Sequence, residues 1–257
     1  MQPETRGQWI VMKFGGTSVS SVACWDTICG QVRRHLDDGK QVLVVVSALS
    51  GVTNLLSRLA DGVSASVRAA IGAELREKHE ELIEALGLGS SVHFDRHWSS
   101  LLELLGQSGP KLDDAQRAQL LAHGELLSSS IGHAVLAANG LAADWQDARR
   151  MLQAVPATGD LLAARCSDEV DPGLARRLAG EGASHITQGF IAAAATGETC
   201  LLGRGGSDTS AAYFAARLGA SALEIWTDVP GIFSADPRVV PEARLLRRLS
   251  YSEAQEL

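Results

Sequence analysis

The chain has 257 residues, of which 46% are hydrophobic and 21% are charged, and its formal net charge is −7. A chain of this length and composition can bury a large core, so general disorder is excluded. The acidic excess excludes the broad positive field that nucleic acids and anionic membrane surfaces require, but it is compatible with a small polar substrate in a local pocket.

The cysteines and the N-terminus indicate a cytoplasmic protein. Cys24, Cys29, Cys166 and Cys200 form no CxxC pair, and the first residues lack the order of basic, apolar and small residues that marks a signal peptide. No apolar stretch approaches the ~20 residues of a membrane span. We therefore expect free thiols and no membrane partner.

Strand and helix patterns alternate along the chain. Residues 9–14 and 41–48 are short apolar runs with a helical pattern over 20–38 between them, which predicts a β-α-β unit. A stretch without strand signals, from about 55 to 138, predicts a run of helices. The later strand patterns lie at 142–146, 184–193, 199–206 and 222–229, with a helical pattern at 207–220. Right-handed crossovers between parallel strands are the expected topology.

The first candidate site is the sequence KFGGTS at 13–18, directly after the first strand. Gly15 and Gly16 would let backbone N–H groups approach an anion closely, beside the positive end of the next helix. Lys13 would then place a point charge on a phosphate. The order differs from that of a P-loop, in which the lysine follows the glycines. The alternative is a tight turn with a surface lysine.

The second candidate, SALSGVTN at 47–54, also follows a strand. Ser47 and Thr53 would bind a carboxylate or phosphate at the carboxyl end of the sheet, where open α/β folds place their ligands. Alternatively, Ser50 or Thr53 is only the N-cap of the following helix. The pattern alone leaves both interpretations open.

The third candidate, LLGRGGSDTSAAYFAARLG at 201–219, contains an arginine between glycines. Its small neighbours would expose Arg204, whose planar guanidinium group suits a carboxylate. Ser207 and Asp208 stand at the start of the predicted helix. Asp208 could equally be a plain N-cap.

The fourth candidate, WTDVPGIFSADPRVV at 226–240, is a strand end followed by a loop shaped by proline and glycine. It contains Thr227, Asp228, Asp236 and Arg238, and loops on a rigid scaffold often hold binding residues. An ordinary turn is the alternative.

Two further features lie within the predicted helices. His93 and His97 in HFDRH lack the glutamate of the HExxH zinc motif, so a solvated helical face is favoured over a metal site. Glu125 lies in an otherwise apolar helix, where a carboxylate needs a partner. That partner would be a buried arginine or the ammonium group of an amino acid.

Five motifs together resemble those of the aspartate kinases, in the order and spacing of that family. They are KFGGTSV at 13–19, VSALSGVTN at 46–54, GE at 124–125, GRGGSDTSA at 203–211 and WTDVPGIFSADPR at 226–238. The resemblance covers nearly the whole chain. It implies one domain over 1–257 with the amino-acid kinase fold: an open, mainly parallel α/β sheet between helices, with a helical insertion at about 55–120.

The resemblance also implies an activity and its residues. The γ-phosphoryl group of MgATP would pass to the side-chain carboxylate of L-aspartate, giving 4-phospho-L-aspartate for lysine, threonine, methionine and diaminopimelate synthesis. Lys13 and Asp208 would be catalytic, Arg204 would bind the α-carboxylate and Glu125 the ammonium group. The other implied contacts are Ser47, Thr53 and Ser207 for aspartate, and Lys13, Gly15, Gly16, Thr227, Asp228, Phe233 and Arg238 for the nucleotide.

Two departures from the family pattern matter. Phe233 stands where the family commonly has a tyrosine, and no lysine follows Lys111, although the family continues with a second phosphate-binding lysine and, usually, ACT domains. We therefore expect a kinase domain without its C-terminal end, little activity from these residues alone, and homo-oligomers formed through an open sheet edge. The alternatives are another amino-acid kinase of the same fold and a non-catalytic kinase-like module.

Overall fold

The computed structural model describes residues 9–89, 91–107, 111–155, 160–181 and 184–255. The chain divides into two compact units, Met1–Trp226 and Thr227–Leu257. Within the described ranges, no helix is both long and apolar enough to cross a bilayer.

The first unit contains a five-stranded sheet and a small two-stranded sheet. Its strands are β1 (Trp9–Phe14), β2 (Gln41–Val46), β3 (Asp144–Trp145), β4 (Ser184–Gln188), β5 (Ile191–Ala193), β6 (Thr199–Leu201) and β7 (Ala222–Trp226). The large sheet has the order β3-β4-β2-β1-β7, and every neighbouring pair is parallel. Strands β5 and β6 pair antiparallel, because a short turn joins them directly, so the parallel expectation fails for this hairpin.

The described part of the chain also contains α-helices. In chain order they are α1 (Val22–Asp37), α2 (Val52–Ala60), α3 (Ala65–Ala85), α4 (Val92–Gln107), α5 (Asp114–Ala138), α6 (Pro172–Glu181) and α7 (Gly206–Leu218), with α8 (Tyr251–Gln255) in the second unit. Helices α1, α5 and α7 contact the central strands, so the predicted α/β class with a mainly parallel sheet is confirmed. The helical run between β2 and β3 extends from Val52 to Ala138, beyond the implied insertion at 55–120.

Helix α5 forms the centre of the first unit. Its start is fixed by a capping box in which Asp113 accepts a hydrogen bond from the Gln116 N–H (2.8 Å) and the Gln116 side chain accepts one from the Asp113 N–H (3.2 Å). Most of its side chains after Arg117 are buried. At Gly132 a Cβ atom would overlap the Trp25 ring, so this glycine allows α5 to pack closely on α1.

The prediction that His93 and His97 lie on a solvated helical face is wrong. The His93 ring stacks on Trp145 with centroids 5.1 Å apart and meets His133 edge-on at 5.1 Å. His97 is 7% exposed and its centroid is 5.2 Å from that of Trp145. Within the described ranges, no group of three or more His, Cys, Asp or Glu side chains is placed to hold a metal ion. His93 and His97 of α4 therefore pack against Trp145.

Buried histidines make the stability of the fold sensitive to acid. Burial lowers the pKa of His97 and of His123 to about 4, from an ordinary value of 6.5. Between these values the unfolded chain binds more protons than the folded one, so stability falls as the pH is lowered from 6.5 towards 4. Urea unfolding at a series of pH values should show this decrease, and His97→Gln should flatten it. An unchanged pH profile in that variant would contradict the assignment.

Candidate functional site

A cleft of about 590 Å³ lies at the carboxyl edge of the large sheet in the first unit. The loops after β1, β2 and β4, the start of α7 and one face of α5 surround it. Because the strands are parallel, their following loops meet at the same edge. The residues predicted from the sequence that line the cleft are Lys13, Gly16, Ser47, Thr53, Glu125, Arg204, Ser207 and Asp208.

An ion pair crosses one side of the cleft. Lys13 is the penultimate residue of β1, in register with Val45 of β2 and Ile225 of β7. Its Nζ atom lies 2.5 Å from Oδ1 of Asp208, with the lysine side chain 11% exposed and the aspartate half exposed. Lys13 is thus no surface lysine, and the tight-turn alternative is wrong. The sheet holds its backbone while its charge reaches the cleft.

The loop after β1 packs closely on the loop after β2. At Gly16 a Cβ atom would come within 2.8 Å of the Ala48 carbonyl oxygen, so no larger residue fits without moving one of the loops. Gly15 does not line the cleft, and a Cβ there would lie at an ordinary 3.7 Å from Nζ of Lys13. Its predicted contact with a nucleotide remains a prediction.

Both helices that start at the cleft are capped by glycines rather than by side chains. Gly51 precedes α2 with φ 82°, and Gly205 precedes α7 with φ 70°. Glycine adopts this left-handed conformation without a steric penalty. The alternatives that made Ser50, Thr53 or Asp208 plain N-caps are therefore wrong. The side chains of Thr53 and Asp208 line the cleft instead.

Glu125 is a buried acid on the wall of the cleft. It is 3% exposed, and burial raises its pKa to about 8, although a hydrogen bond from the backbone of Ala48 opposes the shift. Its Oε2 atom has no hydrogen-bond partner, and none of the described arginines pairs with it. The buried-arginine alternative is thereby contradicted. An unpaired buried carboxyl group beside a cleft is suited to receive a cationic ligand group.

The glycine before Glu125 sets how closely α5 approaches the loop after β2. At Gly124 a Cβ atom would lie 2.8 Å from Cβ of Ala48 and 3.3 Å from Cδ1 of Leu56. Since Ala48 also donates to Glu125, this close contact positions the carboxyl group. In the GE dipeptide, Gly124 thus allows the close packing and Glu125 supplies the buried carboxyl group.

The cleft residues that the sequence patterns did not indicate include Phe190 and Arg117. Phe190, which follows β4, has φ 68°; its N–H donates to Oγ of Ser210 (2.9 Å) and its carbonyl accepts from the Leu202 N–H (2.8 Å). The position after a strand end was a usable signal for it. Arg117, two turns before Glu125 on α5, lines the cleft and binds Asp61 at 2.6 Å. Its polar, helical surroundings gave no signal.

Four of the predicted nucleotide-binding residues lie in the second unit. Thr227 donates to the carboxylate of Asp228 (3.2 Å). The Arg238 side chain is 89% exposed, and Arg238 forms three hydrogen bonds to the Asp236 carboxylate, from its backbone N–H at 2.9 Å and from its guanidinium group at 3.1 and 3.0 Å. Phe233 forms a bridge with Leu245. These contacts order the loop, and binding of a nucleotide by Thr227, Asp228, Phe233 and Arg238 remains a prediction.

The fold and the cleft together define an α/β protein whose charged pocket, at the carboxyl edge of a parallel sheet, suits a small anionic or zwitterionic ligand. The model of the amino acid kinase family matches residues 8–257. The chain belongs to that family.

Several aspartokinases are similar to this chain in sequence. The chain is 33% identical to lysine-sensitive aspartokinase 3 of Escherichia coli over 96% of its own length and 55% of that protein. It is 36% identical to an aspartokinase of Chlamydia pneumoniae, over 96% of this chain and 54% of that one. The chain therefore spans about half the length of these curated relatives.

A solved structure agrees with these sequence matches. The crystal structure of E. coli aspartokinase III in complex with aspartate and ADP superposes with a TM-score of 0.82 at 34% identity, covering 96% of this chain and 55% of that one. The implied amino-acid kinase fold is confirmed.

The close packing at Gly124 gives a testable prediction. Gly124→Ala should lower the free energy of unfolding by about 1–3 kcal/mol, because the added methyl group overpacks the contact with Ala48. Gly72→Ala is the matched control, since it lies in α3 with open space at its Cβ position. There alanine should stabilise the helix by up to about 1 kcal/mol. Equal effects of the two substitutions in urea titrations would contradict the packing argument.

Proposed function

We propose that the chain is the kinase part of an aspartate kinase, which transfers the γ-phosphoryl group of ATP to the side-chain carboxylate of L-aspartate. The observation that supports this most directly is the joint placement of Lys13, Asp208, Glu125 and Arg204 on one cleft. The aspartokinase relatives and the superposition on an aspartokinase with bound aspartate and ADP support the same substrates. A cytoplasmic location and homo-oligomers remain predictions from the sequence.

Phosphoryl transfer mainly requires alignment of the reactants and stabilisation of negative charge. Lys13 supplies a fixed positive charge, because β1 holds its backbone and the start of α7 holds its partner Asp208. When the transferred phosphoryl group binds, Lys13 Nζ contacts its oxygens, and the N-terminus of α7 adds favourable backbone dipoles. The acceptor is the substrate carboxylate, so the protein need not provide a nucleophile.

Mg²⁺ fits the residues present. The carboxylate of Asp208 is half exposed at the cleft, and Mg²⁺ in kinases is commonly held by one or two carboxylates together with the nucleotide phosphates. When bound, the ion would neutralise phosphate charge. Asp208 therefore has two tasks, to orient Lys13 and to offer an oxygen ligand.

Recognition of aspartate is assigned to groups of matching charge. Arg204 is exposed at the cleft, where its guanidinium group would bind the α-carboxylate in a bidentate manner. Glu125 would receive the ammonium group, which compensates the cost of its buried charge. The hydroxyl groups of Ser47, Thr53 and Ser207 would position the rest of the molecule. The nucleotide is assigned to Lys13, Gly15, Gly16, Thr227, Asp228, Phe233 and Arg238.

A coupled assay of ADP release tests the proposal. The intact protein is supplied with MgATP and, in separate reactions, with aspartate, glutamate or acetylglutamate. Turnover with aspartate well above the other two is expected. Preference for another acid would indicate a different amino-acid kinase, and no turnover with any acid would indicate a non-catalytic module.

Lys13 is the residue whose removal should affect chemistry most. Lys13→Ala should lower kcat by at least about 100-fold, because it removes a preorganised charge from the transition state. Lys111→Ala is the matched control, since this exposed lysine does not line the cleft. Steady-state kinetics with both variants decide the matter, and near wild-type turnover of Lys13→Ala would exclude the assignment.

Glu125 should make aspartate binding depend on pH. With a pKa of about 8, the carboxyl group is neutral below that pH and must lose its proton to bind an ammonium group. The KM for aspartate should therefore fall as the pH rises from 6.5 to 8. Glu125→Gln should raise this KM and remove its pH dependence, with little change in the KM for ATP. A KM change confined to ATP would show that the two sites are assigned in reverse.

A further inference from the structure

The Ser20 hydroxyl group joins the two loops that approach each other at the cleft. Its Oγ atom donates to the Gly16 carbonyl at 2.6 Å and accepts from the Ser50 N–H at 3.0 Å. Gly16 belongs to the loop after β1, which follows Lys13, and Ser50 to the loop after β2, which starts at Ser47. One side chain thus contacts both the loop that follows the phosphoryl-binding lysine and the loop that begins with a substrate-binding serine.

This double contact requires a hydroxyl group. A hydroxyl can donate and accept at the same time, whereas alanine can do neither. Among the described residues, Ser20 makes the sole side-chain hydrogen bond between the two loops, beside the backbone bond from the Ser47 N–H to the Phe14 carbonyl at 3.1 Å. The strand pairing holds the bases of the loops, while Ser20 holds their outer parts.

We propose that Ser20 is a positioning residue for phosphoryl transfer; this rests on the proposed function. It fixes the loop after β1, which would bind phosphate, against the loop after β2, which would bind the amino acid, and it touches neither substrate. Each loop keeps its own ligand contacts when Ser20 is removed, but their relative placement is no longer fixed. Misplacement of about 1 Å can slow a reaction by roughly 100-fold. The loss should therefore appear in kcat and much less in either KM.

The neighbouring serine provides a matched control. Ser21 is the N-cap of α1, where its Oγ accepts from the Cys24 N–H at 3.3 Å, and it makes no bond to the loop after β2 in the described part of the chain. Ser21→Ala removes a hydroxyl one position away and costs helix stability. Ser20→Thr retains both hydrogen-bonding functions.

The experiment combines kinetics with hydrogen exchange of the intact protein. Ser20→Ala should lower kcat by about tenfold or more, with both KM values within about threefold, and should speed amide exchange in the segment 48–51. Ser21→Ala and Ser20→Thr should leave kcat within about threefold and should not speed exchange in that segment.

Three results would overturn the proposal: unchanged kcat in Ser20→Ala, an equal loss of kcat in Ser21→Ala, or unchanged exchange at 48–51 in Ser20→Ala. A selective rise in the KM for the acid would also overturn it, because Ser20 would then act on one loop only. If the wild-type protein has no kinase activity, the proposed function fails, while hydrogen exchange still reports whether Ser20 joins the loops.

Discussion

The hydrogen bonds that pair β1 in parallel with β2 and β7 determine where the groups of the cleft lie. Parallel strands are about 4.8 Å apart and end at the same edge. Lys13 near the end of β1, Ser47 after β2 and Phe190 after β4 therefore lie in consecutive positions across the sheet. A shift of register by one residue would turn Lys13 to the opposite face. The geometry of the cleft is thus a consequence of backbone pairing.

Glu125 reaches the same edge by a different route, because it belongs to a helix. Helix α5 must approach the loop after β2 closely enough for Ala48 to donate to the carboxyl group, and a glycine at 124 makes that approach possible. Packing therefore couples the position of Glu125 on α5 to the positions of the groups at the edge of the sheet. Overpacking at one small residue would displace the Glu125 carboxyl group without changing any polar group.

None of the three ionisable groups Lys13, Arg204 and Glu125 is buried as an unpaired charge. Lys13, mostly buried, is paired with Asp208, Arg204 is exposed to solvent, and Glu125 avoids an isolated charge by staying protonated. An isolated ionised group in an apolar environment would cost several kcal/mol. Pairing, solvent exposure and protonation thus limit the cost of placing these three ionisable groups in one cleft.

The sequence identified most of this cleft because the chemistry of strand ends is local. Glycines and hydroxyl residues after apolar runs marked the loops around Lys13, Ser47 and Arg204, and parallel topology brought them together. Phe190 also follows a strand end, but its left-handed backbone at a non-glycine residue depends on tertiary contacts, so its conformation could not be predicted from that position. The burial of His97 depends on Trp145, a residue distant in sequence, so helical periodicity alone could not distinguish a packed face from a solvated one.

A protonated Glu125 has a consequence for selectivity. Below pH 8 its carboxyl group is a neutral hydrogen-bond donor as well as an acceptor. A dicarboxylic acid without an amino group then meets no repulsive charge at this point of the cleft, whereas at higher pH it faces a bare carboxylate. Under the proposed role of Glu125, discrimination between amino acids and their deaminated analogues therefore depends on pH, and it is strictest in alkaline conditions.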